Sequence, residues 1–149
     1  MKQKNTGRAG QVNKQIKELM GIYRDAVKNM DVSESEFWVL YTLVAMEGNY
    51  TQQDICRMWS LPKQTVNTVI TQLKKKKFAT LETVPDMRNH KFIRLTEAGR
   101  QYGETIVLPI SRAEERAASK TMPKEVNRIT RLFGRYIALL KRELCGATN

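Results

Sequence analysis

The chain has 149 residues, of which 41% are hydrophobic and 28% are charged, and its formal net charge is +11. The composition is that of one folded domain, and two cysteines are too few for a disulfide-stabilised scaffold. The charge favours an acidic partner, nucleic acid first and an anionic membrane second.

The charge is concentrated in the middle of the chain. Residues 51–100 contain ten basic and four acidic side chains, a net of +6, against +1 for residues 1–50 and +4 for residues 101–149. A basic but merely solvated surface is the alternative interpretation. The first ten residues contain no apolar segment typical of a secretion signal, and the longest apolar run is half of a membrane span, so we expect a cytoplasmic protein.

Two helices are predicted before residue 50. Residues 1–10 are polar and are expected to be a flexible leader. A helix over residues 11–30 is indicated by an apolar stripe at three- and four-residue steps, namely Val12, Ile16, Leu19, Tyr23, Ala26 and Met30. Ser33 and Glu36 have capping-box spacing and predict a buried helix over residues 37–46, ended by Gly48-Asn49.

A helix-turn-helix is predicted next. Thr51 and Asp54 repeat the capping-box spacing and open a short helix that ends near Trp59. Pro62 suits the first turn of the following helix, which is expected to end near Lys76.

Two strands and two long helices complete the predicted order. Residues 78–96 are rich in β-branched and aromatic side chains around a polar tip at residues 85–89, which predicts a hairpin. Thr96 should cap a helix through Ala118 that Pro109 kinks or interrupts, and Pro123 should begin the last helix. That helix has an apolar stripe formed by Val126, Ile129, Phe133, Ile137, Leu140 and Leu144.

The second helix of the helix-turn-helix has two unlike faces. Val66, Val69, Ile70 and Leu73 share one third of its circumference and should face the core. The opposite face holds short amide and hydroxyl side chains, which can pair with base edges in a major groove. Its predicted DNA-binding residues are Lys63, Gln64, Thr65, Asn67, Thr68, Thr71 and Lys75. An ordinary solvent-exposed helix face is the alternative.

Cationic groups flank that helix. The run Lys74–Lys77 can meet phosphate and complements the helix dipole. In the hairpin, Arg88 could enter a minor groove, and Asn89, His90 and Lys91 are further predicted DNA contacts. His90 is the only histidine, so we expect no metal site, and the sequence predicts no cofactor.

This order resembles the MarR/SlyA family of bacterial transcription regulators. The resemblance is carried by the stretch LPKQTVNTVITQLKKKKF and by DMRNHKFIRLTEAGR, in which Asp86 and Arg88 meet the family's Asp-x-Arg pattern and Leu95, Thr96 and Gly99 meet its Leu-Thr-x-x-Gly pattern. There are two departures. Lys76-Lys77-Phe78 stands where the family has a glycine, so a non-glycine residue must end the helix or the helix ends differently. Residues 89–91 replace a further acidic residue and a second arginine.

The resemblance implies a mainly α fold with a small β-wing (α+β), a winged helix-turn-helix with long N- and C-terminal dimerisation helices. Residues 33–99 would form the DNA-binding lobe and residues 11–32 and 100–149 the dimerisation helices of a homodimer. The apolar stripes of the terminal helices also favour a dimer, although packing within one chain is the alternative. A small amphipathic effector could bind at Met20, Tyr23, Trp38 and Tyr41, although such residues are more often plain core.

The predicted function is that of a sequence-specific regulator of transcription. It would bind a pseudo-palindromic site in double-stranded DNA, as a repressor released by a small molecule. The alternative is a nonspecific architectural winged-helix protein that binds DNA or RNA. No nucleophile–base pair, phosphate-binding glycine loop or metal cluster is recognisable in the sequence, so an enzyme is not expected. Neither Cys56 nor Cys145 shows a sign of an activated thiol.

Overall fold

The computed structural model describes residues 7–146 as six helices and one two-stranded antiparallel sheet. The helices and strands are, in chain order, α1 (Arg8–Lys28), α2 (Glu34–Ala45), α3 (Gln52–Trp59), α4 (Lys63–Lys75), β1 (Ala79–Val84), β2 (Met87–Leu95), α5 (Glu97–Thr121) and α6 (Val126–Gly146). This is the predicted winged helix-turn-helix with long flanking helices. None of the described helices is both long and apolar enough to cross a bilayer.

Compact packing divides the chain into two units between Ile110 and Ser111. In the first unit, α2 is the central helix, and residues 37–40 at its start are all buried. The first half of α5 also belongs to this core, because Ile106, Val107 and Ile110 are buried there. The first unit therefore extends beyond the two strands into the first half of α5.

Several predicted boundaries were wrong. Helix α1 begins at Arg8, so the last three residues of the predicted leader are helical, whereas residues 1–6 lie outside the described part. Helix α2 begins at Glu34, three residues before the predicted start, and ends at Ala45, within one residue of the predicted end. Pro62 is the residue preceding α4 rather than part of its first turn, and α6 begins three residues after Pro123.

Pro109 does not interrupt α5, which continues from Glu97 to Thr121. A proline removes one backbone hydrogen bond from a helix. Near Pro109, Val107 and Ile110 are both buried. Their contacts with the core offset the loss of the hydrogen bond.

The caps explain why the helices of the first unit begin where they do. The Ser33 hydroxyl accepts a hydrogen bond from the backbone N–H of Glu36 at 3.0 Å. The Glu36 carboxylate, however, accepts from the Tyr102 hydroxyl at 2.8 Å instead of closing the capping box, so it joins α2 to α5. At α3 both capping-box bonds between Thr51 and Asp54 are present, as predicted.

Helix α4 ends without the expected glycine. Lys77 adopts the left-handed conformation, with φ of 61°. The N–H of Phe78 donates to the Leu73 carbonyl at 2.8 Å, and the N–H of Lys77 donates to the Lys74 carbonyl at 2.9 Å. These two bonds are those of a Schellman motif, in which glycine is the preferred residue at the left-handed position. A lysine therefore takes the glycine's conformation.

The strained residue is held by the start of α5. The Thr96 hydroxyl donates to the Lys77 carbonyl at 2.8 Å and accepts from the Gly99 N–H at 3.0 Å, which confirms Thr96 as the cap of α5. A side chain at Gly99 would have its Cβ 1.8 Å from the Phe78 carbonyl oxygen, so only glycine permits this approach. The Leu-Thr-x-x-Gly pattern thus encodes the joint between α4 and α5.

Replacing Lys77 by glycine tests the left-handed helix end. Lys77→Gly should raise the free energy of unfolding by about 1 kcal/mol. The change removes the strain of a left-handed lysine, and this gain exceeds the loss caused by the greater entropy of glycine in the unfolded chain. The matched control is Lys76→Gly at φ of −76°, which should lower it by a similar amount. Urea unfolding measures both. Equal destabilisation by the two changes would contradict the assigned conformation.

Candidate nucleic-acid interface

The exposed face of α4 contains the side chains that the sequence assigned to DNA. Val66, Val69, Ile70 and Leu73 are buried, as predicted. Six of the seven predicted contact residues on this helix are exposed and the other, Thr65, is half-buried; the exposed ones are Lys63, Gln64, Asn67, Thr68, Thr71 and Lys75. The face presents amides, hydroxyls and ammonium groups and no carboxylate.

The Thr68 hydroxyl is partly committed within the helix. It donates to the Gln64 carbonyl at 2.9 Å, one turn earlier. This bond uses the hydroxyl hydrogen and fixes the side-chain rotamer. The methyl group and the remaining lone pairs of Thr68 are therefore the groups that can meet a ligand, and a methyl group suits contact with the thymine methyl.

The wing approaches α4 across a concave groove of about 380 Å³. Its lining residues come from α3, α4 and both strands; they are Thr51, Gln52, Gln53, Cys56, Lys63, Asn67, Leu81, Asn89, His90 and Lys91. Five of the predicted contact residues are thus brought together. The lining contains two lysines and no acidic residue, so its formal charge is positive.

The base of the wing is attached to the start of α3. The N–H of Ile93 in β2 donates to the Tyr50 carbonyl at 2.9 Å, and Thr51 forms a bridge with Phe92. Thr51 also donates through its N–H and its hydroxyl to the Asp54 carboxylate, at 2.9 and 2.7 Å. These bonds hold the pKa of Asp54 below its usual range, despite the opposing effect of partial burial.

The tip of the wing is a two-residue turn. Asp86 has φ of 64°, and Val84 pairs with Met87 across the turn. Arg88 is exposed in β2, two residues after Asp86, and does not line the groove. Within the described residues, Asp86 and Arg88 form no ion pair, so the aspartate of the Asp-x-Arg pattern serves here as the turn residue.

Two other cations of this region have intramolecular partners. Arg94 forms an ion pair with Glu82 at 2.5 Å and donates to the Asn49 side chain, so it fastens β2 to β1 and to the loop before α3. The Lys76 ammonium lies 5.7 Å from the centre of the Tyr102 ring. The lysine run therefore serves both as exposed charge and as part of the joint with α5.

The four predicted effector residues lie in or beside an aromatic cluster. Trp38 is buried, and Met20, Tyr23 and Tyr41 are half-buried against the core. The Trp38 ring lies 5.1 Å from Tyr23, 5.7 Å from Tyr41 and 4.1 Å from Trp59, on which it stacks. An effector site among these residues stays a prediction.

Five of the ten groove residues were not among the predicted contacts, namely Thr51, Gln52, Gln53, Cys56 and Leu81. Gln52, Gln53 and Cys56 on α3 line the groove opposite the wing. The sequence did indicate that these residues could lie near α4. In a helix-turn-helix, the first turn of the first helix lies beside the start of the second helix.

A family model and several solved structures match this chain. The model of the MarR family matches residues 30–88. The MarR family regulator NMB1585 from Neisseria meningitidis has a similar structure, with a TM-score of 0.78, 24% sequence identity, and coverage of 91% of this chain and 95% of that chain. Comparison with curated protein sequences gives no match.

Two further structures are similar at lower identity. S. aureus MepR in its DNA-binding conformation has a TM-score of 0.70 at 18% identity, covering 89% of this chain and 98% of its own. Bordetella bronchiseptica BpsR, whose DNA binding is regulated by 6-hydroxynicotinic acid, has a TM-score of 0.60 at 19% identity, covering 89% and 94%. These likenesses extend the winged helix fold over nearly the whole chain.

The Asp54 cap should make stability depend on pH in a predictable direction. A carboxyl whose pKa is lower in the folded state stabilises the fold above its unfolded pKa, and that contribution is lost as pH falls through the folded pKa. The stability advantage of the wild type over Asp54→Asn should therefore shrink as the pH is lowered below about 4.

Urea unfolding at several pH values measures this difference. Thr51→Val is the matched control, because it removes the hydroxyl that donates to Asp54 while keeping the branched shape. In the Thr51→Val background the same Asp54→Asn change should show a weaker pH dependence. An unchanged pH dependence in that background would contradict the role of Thr51.

Proposed function

We propose that the protein is a sequence-specific, double-stranded DNA-binding regulator of transcription, and the match of the MarR family model to residues 30–88 supports this. The observation that carries the proposal is the groove between α4 and the wing. Its cationic and amide lining comes from both elements and contains no carboxylate. A DNA duplex presents negatively charged phosphates beside the edges of its bases. The lysines of the groove suit the phosphates, and its amide side chains suit the base edges.

The two elements have different tasks in this proposal. Gln64, Asn67, Thr68 and Thr71 on α4 contact base edges, while Lys63 and Lys75 contact phosphates. On the wing, Asn89, His90 and Lys91 contact the backbone, and Arg88 enters the adjacent minor groove. Gln52 and Gln53 join the predicted set because they share the groove with Asn67.

The proposed functional unit is a homodimer. The stripe of α6 is exposed in the single chain, for example at Val126 (46%), Ile137 (54%) and Leu144 (66%). The stripe of α1 is only partly available, because Tyr23, Ala26 and Met30 pack within the chain, whereas Leu19 is exposed. A two-fold partner would bury these surfaces and present two copies of α4 to a pseudo-palindromic site.

Repression released by a small amphipathic ligand is the proposed mode of regulation. BpsR, a structural relative, has its DNA binding regulated by 6-hydroxynicotinic acid. In this chain the half-buried Met20, Tyr23 and Tyr41 beside Trp38 are the proposed contacts of such a ligand, since they combine apolar surface with two phenol groups.

Selection of bound fragments from a random duplex pool tests the central proposal. The chain should enrich a pseudo-palindromic motif whose half-sites are about one helical turn apart. Enrichment without a motif would instead support the alternative, a nonspecific architectural protein. Recovery of bound fragments from the native host would then identify the regulated genes.

The partly committed hydroxyl of Thr68 gives a sharp test of base reading. Thr68→Val keeps the methyl group and loses the hydroxyl, whereas Thr68→Ser does the reverse. Thr68→Ser should lower discrimination at one thymine by roughly 1–3 kcal/mol, and Thr68→Val should keep it. Competition binding against single-base variants of the selected site measures both. The opposite ranking would show that the hydroxyl does the reading.

The dimer is tested at two adjacent residues of α6 that lie about 100° apart on the helix. Ile137→Glu places a charge in the exposed apolar stripe and should convert a dimer into a monomer at micromolar concentration. Ala138→Glu lies off the stripe and should leave the dimer intact. Sedimentation velocity distinguishes the two states. A wild-type chain that sediments as a monomer would remove the dimer from the proposal.

A further inference from the structure

Helix α6 carries a row of arginines that neither the proposed DNA groove nor the proposed dimer surface uses. The row consists of Arg128, Arg131, Arg135 and Arg142, all of them exposed. At 100° per residue these four positions fall within about 60° of the helix circumference. We call this row the arginine stripe.

The arginine stripe lies on the side of α6 opposite the apolar stripe. The apolar stripe is centred about 180° from the arginine stripe on the same helical projection. A partner that covers Ile137 and Leu144 would therefore leave the arginines uncovered.

The four guanidinium groups have no acidic partner. In the described part of the chain, residues 7–146, no carboxylate lies within ion-pair distance of any of them. Arg128, Arg131 and Arg135 instead surround a shallow depression of about 180 Å³ together with Leu132. Four unpaired cations on one side of a helix repel each other, so an anionic ligand would be favoured there.

The shape of the stripe favours an extended polyanion over a small one. From Arg128 to Arg142 it runs for about 21 Å along the helix, at 1.5 Å per residue. A single oxyanion could meet only the few arginines around the depression. A nucleic-acid strand presents phosphates over the whole length, and guanidinium groups bind phosphate with two parallel hydrogen bonds.

We infer that the arginine stripe is a second nucleic-acid-binding surface, which contacts the phosphate backbone of a duplex without reading its sequence. It lies in the second compact unit, on a different element from α4 and the wing. One chain could then hold its specific site through the groove and a second DNA segment through α6. The inference does not rest on the proposed function, because phosphate binding at α6 needs no specific site at α4.

A bridging experiment with the full chain tests this surface. An immobilised duplex that carries the selected site is saturated with protein, and a fluorescent 30-base-pair duplex without the site is added. The wild type should capture the second duplex. R128Q/R131Q/R135Q/R142Q should reduce the capture at least tenfold, and the four Arg→Lys changes should retain most of it.

A matched variant controls for loss of net charge. K14Q/K17Q/K120Q/K124Q removes four exposed positive charges elsewhere on the chain and should keep the capture. Binding of the unrelated duplex at several salt concentrations gives a second readout, since each lost phosphate contact should lower the slope of log K against log salt by about 0.9. Thermal unfolding checks that each variant is folded. If the fourfold arginine variant is not folded, R131Q/R135Q replaces it in the capture and salt experiments.

Two outcomes would overturn the inference. The arginine variant could capture the second duplex as well as the wild type does, or the lysine control could lose capture equally. In the first case, loss of binding to phosphatidylglycerol vesicles by the arginine variant would make a membrane the ligand. If no specific site is selected, the proposed function fails, but the salt series with the unrelated duplex still shows whether the arginines of α6 bind DNA. The two failures can therefore be told apart.

Discussion

The close approach of Gly99 to Phe78 is the constraint on which the lobe that contains the winged helix-turn-helix depends. At this point the end of α4, the start of the wing and the start of α5 meet through backbone atoms. The Thr96 N–H donates to the Phe78 carbonyl at 3.0 Å while its hydroxyl donates to the Lys77 carbonyl. Since a Cβ at residue 99 would lie 1.8 Å from the Phe78 oxygen, glycine sets the distance between α5 and α4. The direction of α4 is therefore fixed from its C-terminal end.

Side chains next to this joint connect it to the hydrophobic core. Tyr102, one turn after Gly99, stacks on Phe78 at 4.7 Å and donates to Glu36 of α2. Burial and the neighbouring Glu36 raise the pKa of Tyr102 to about 12, so this hydroxyl remains a donor at any physiological pH. At the other end of the lobe, Tyr50 and Thr51 bind β2. The groove between α4 and the wing thus has fixed walls, which limits the entropy lost when a ligand binds.

Periodicity and caps made most of the architecture predictable. The buried face of α4 and the capping pairs at Thr51 and Thr96 follow from local sequence, because each depends on residues within one turn. The helix limits were less predictable, since tertiary contacts decide how far a helix extends. Pro109 is the clearest case, because buried neighbours carry α5 past a residue that would end an isolated helix.

In the candidate site, too, the sequence predicts the features that depend on local residues and misses those that depend on tertiary contacts. The exposed α4 residues could be named from the sequence, but the groove could not, because it requires the wing to lie beside α3. The departure at Lys77 could be located from the sequence, since a glycine was expected there, and the structure supplied its conformation. The partner of Arg94 could not be foreseen, because Glu82 and Asn49 reach it only after the strands pair.

The most direct test of the account is to map where DNA touches the chain. Backbone amide shifts of the labelled protein should be recorded on addition of one equivalent of the selected duplex. We expect the largest changes on the exposed side of α4, at Gln52 and Gln53, and over residues 88–91 of the wing. Changes confined to α1 or α6, with α4 and the wing unaffected, would contradict the account.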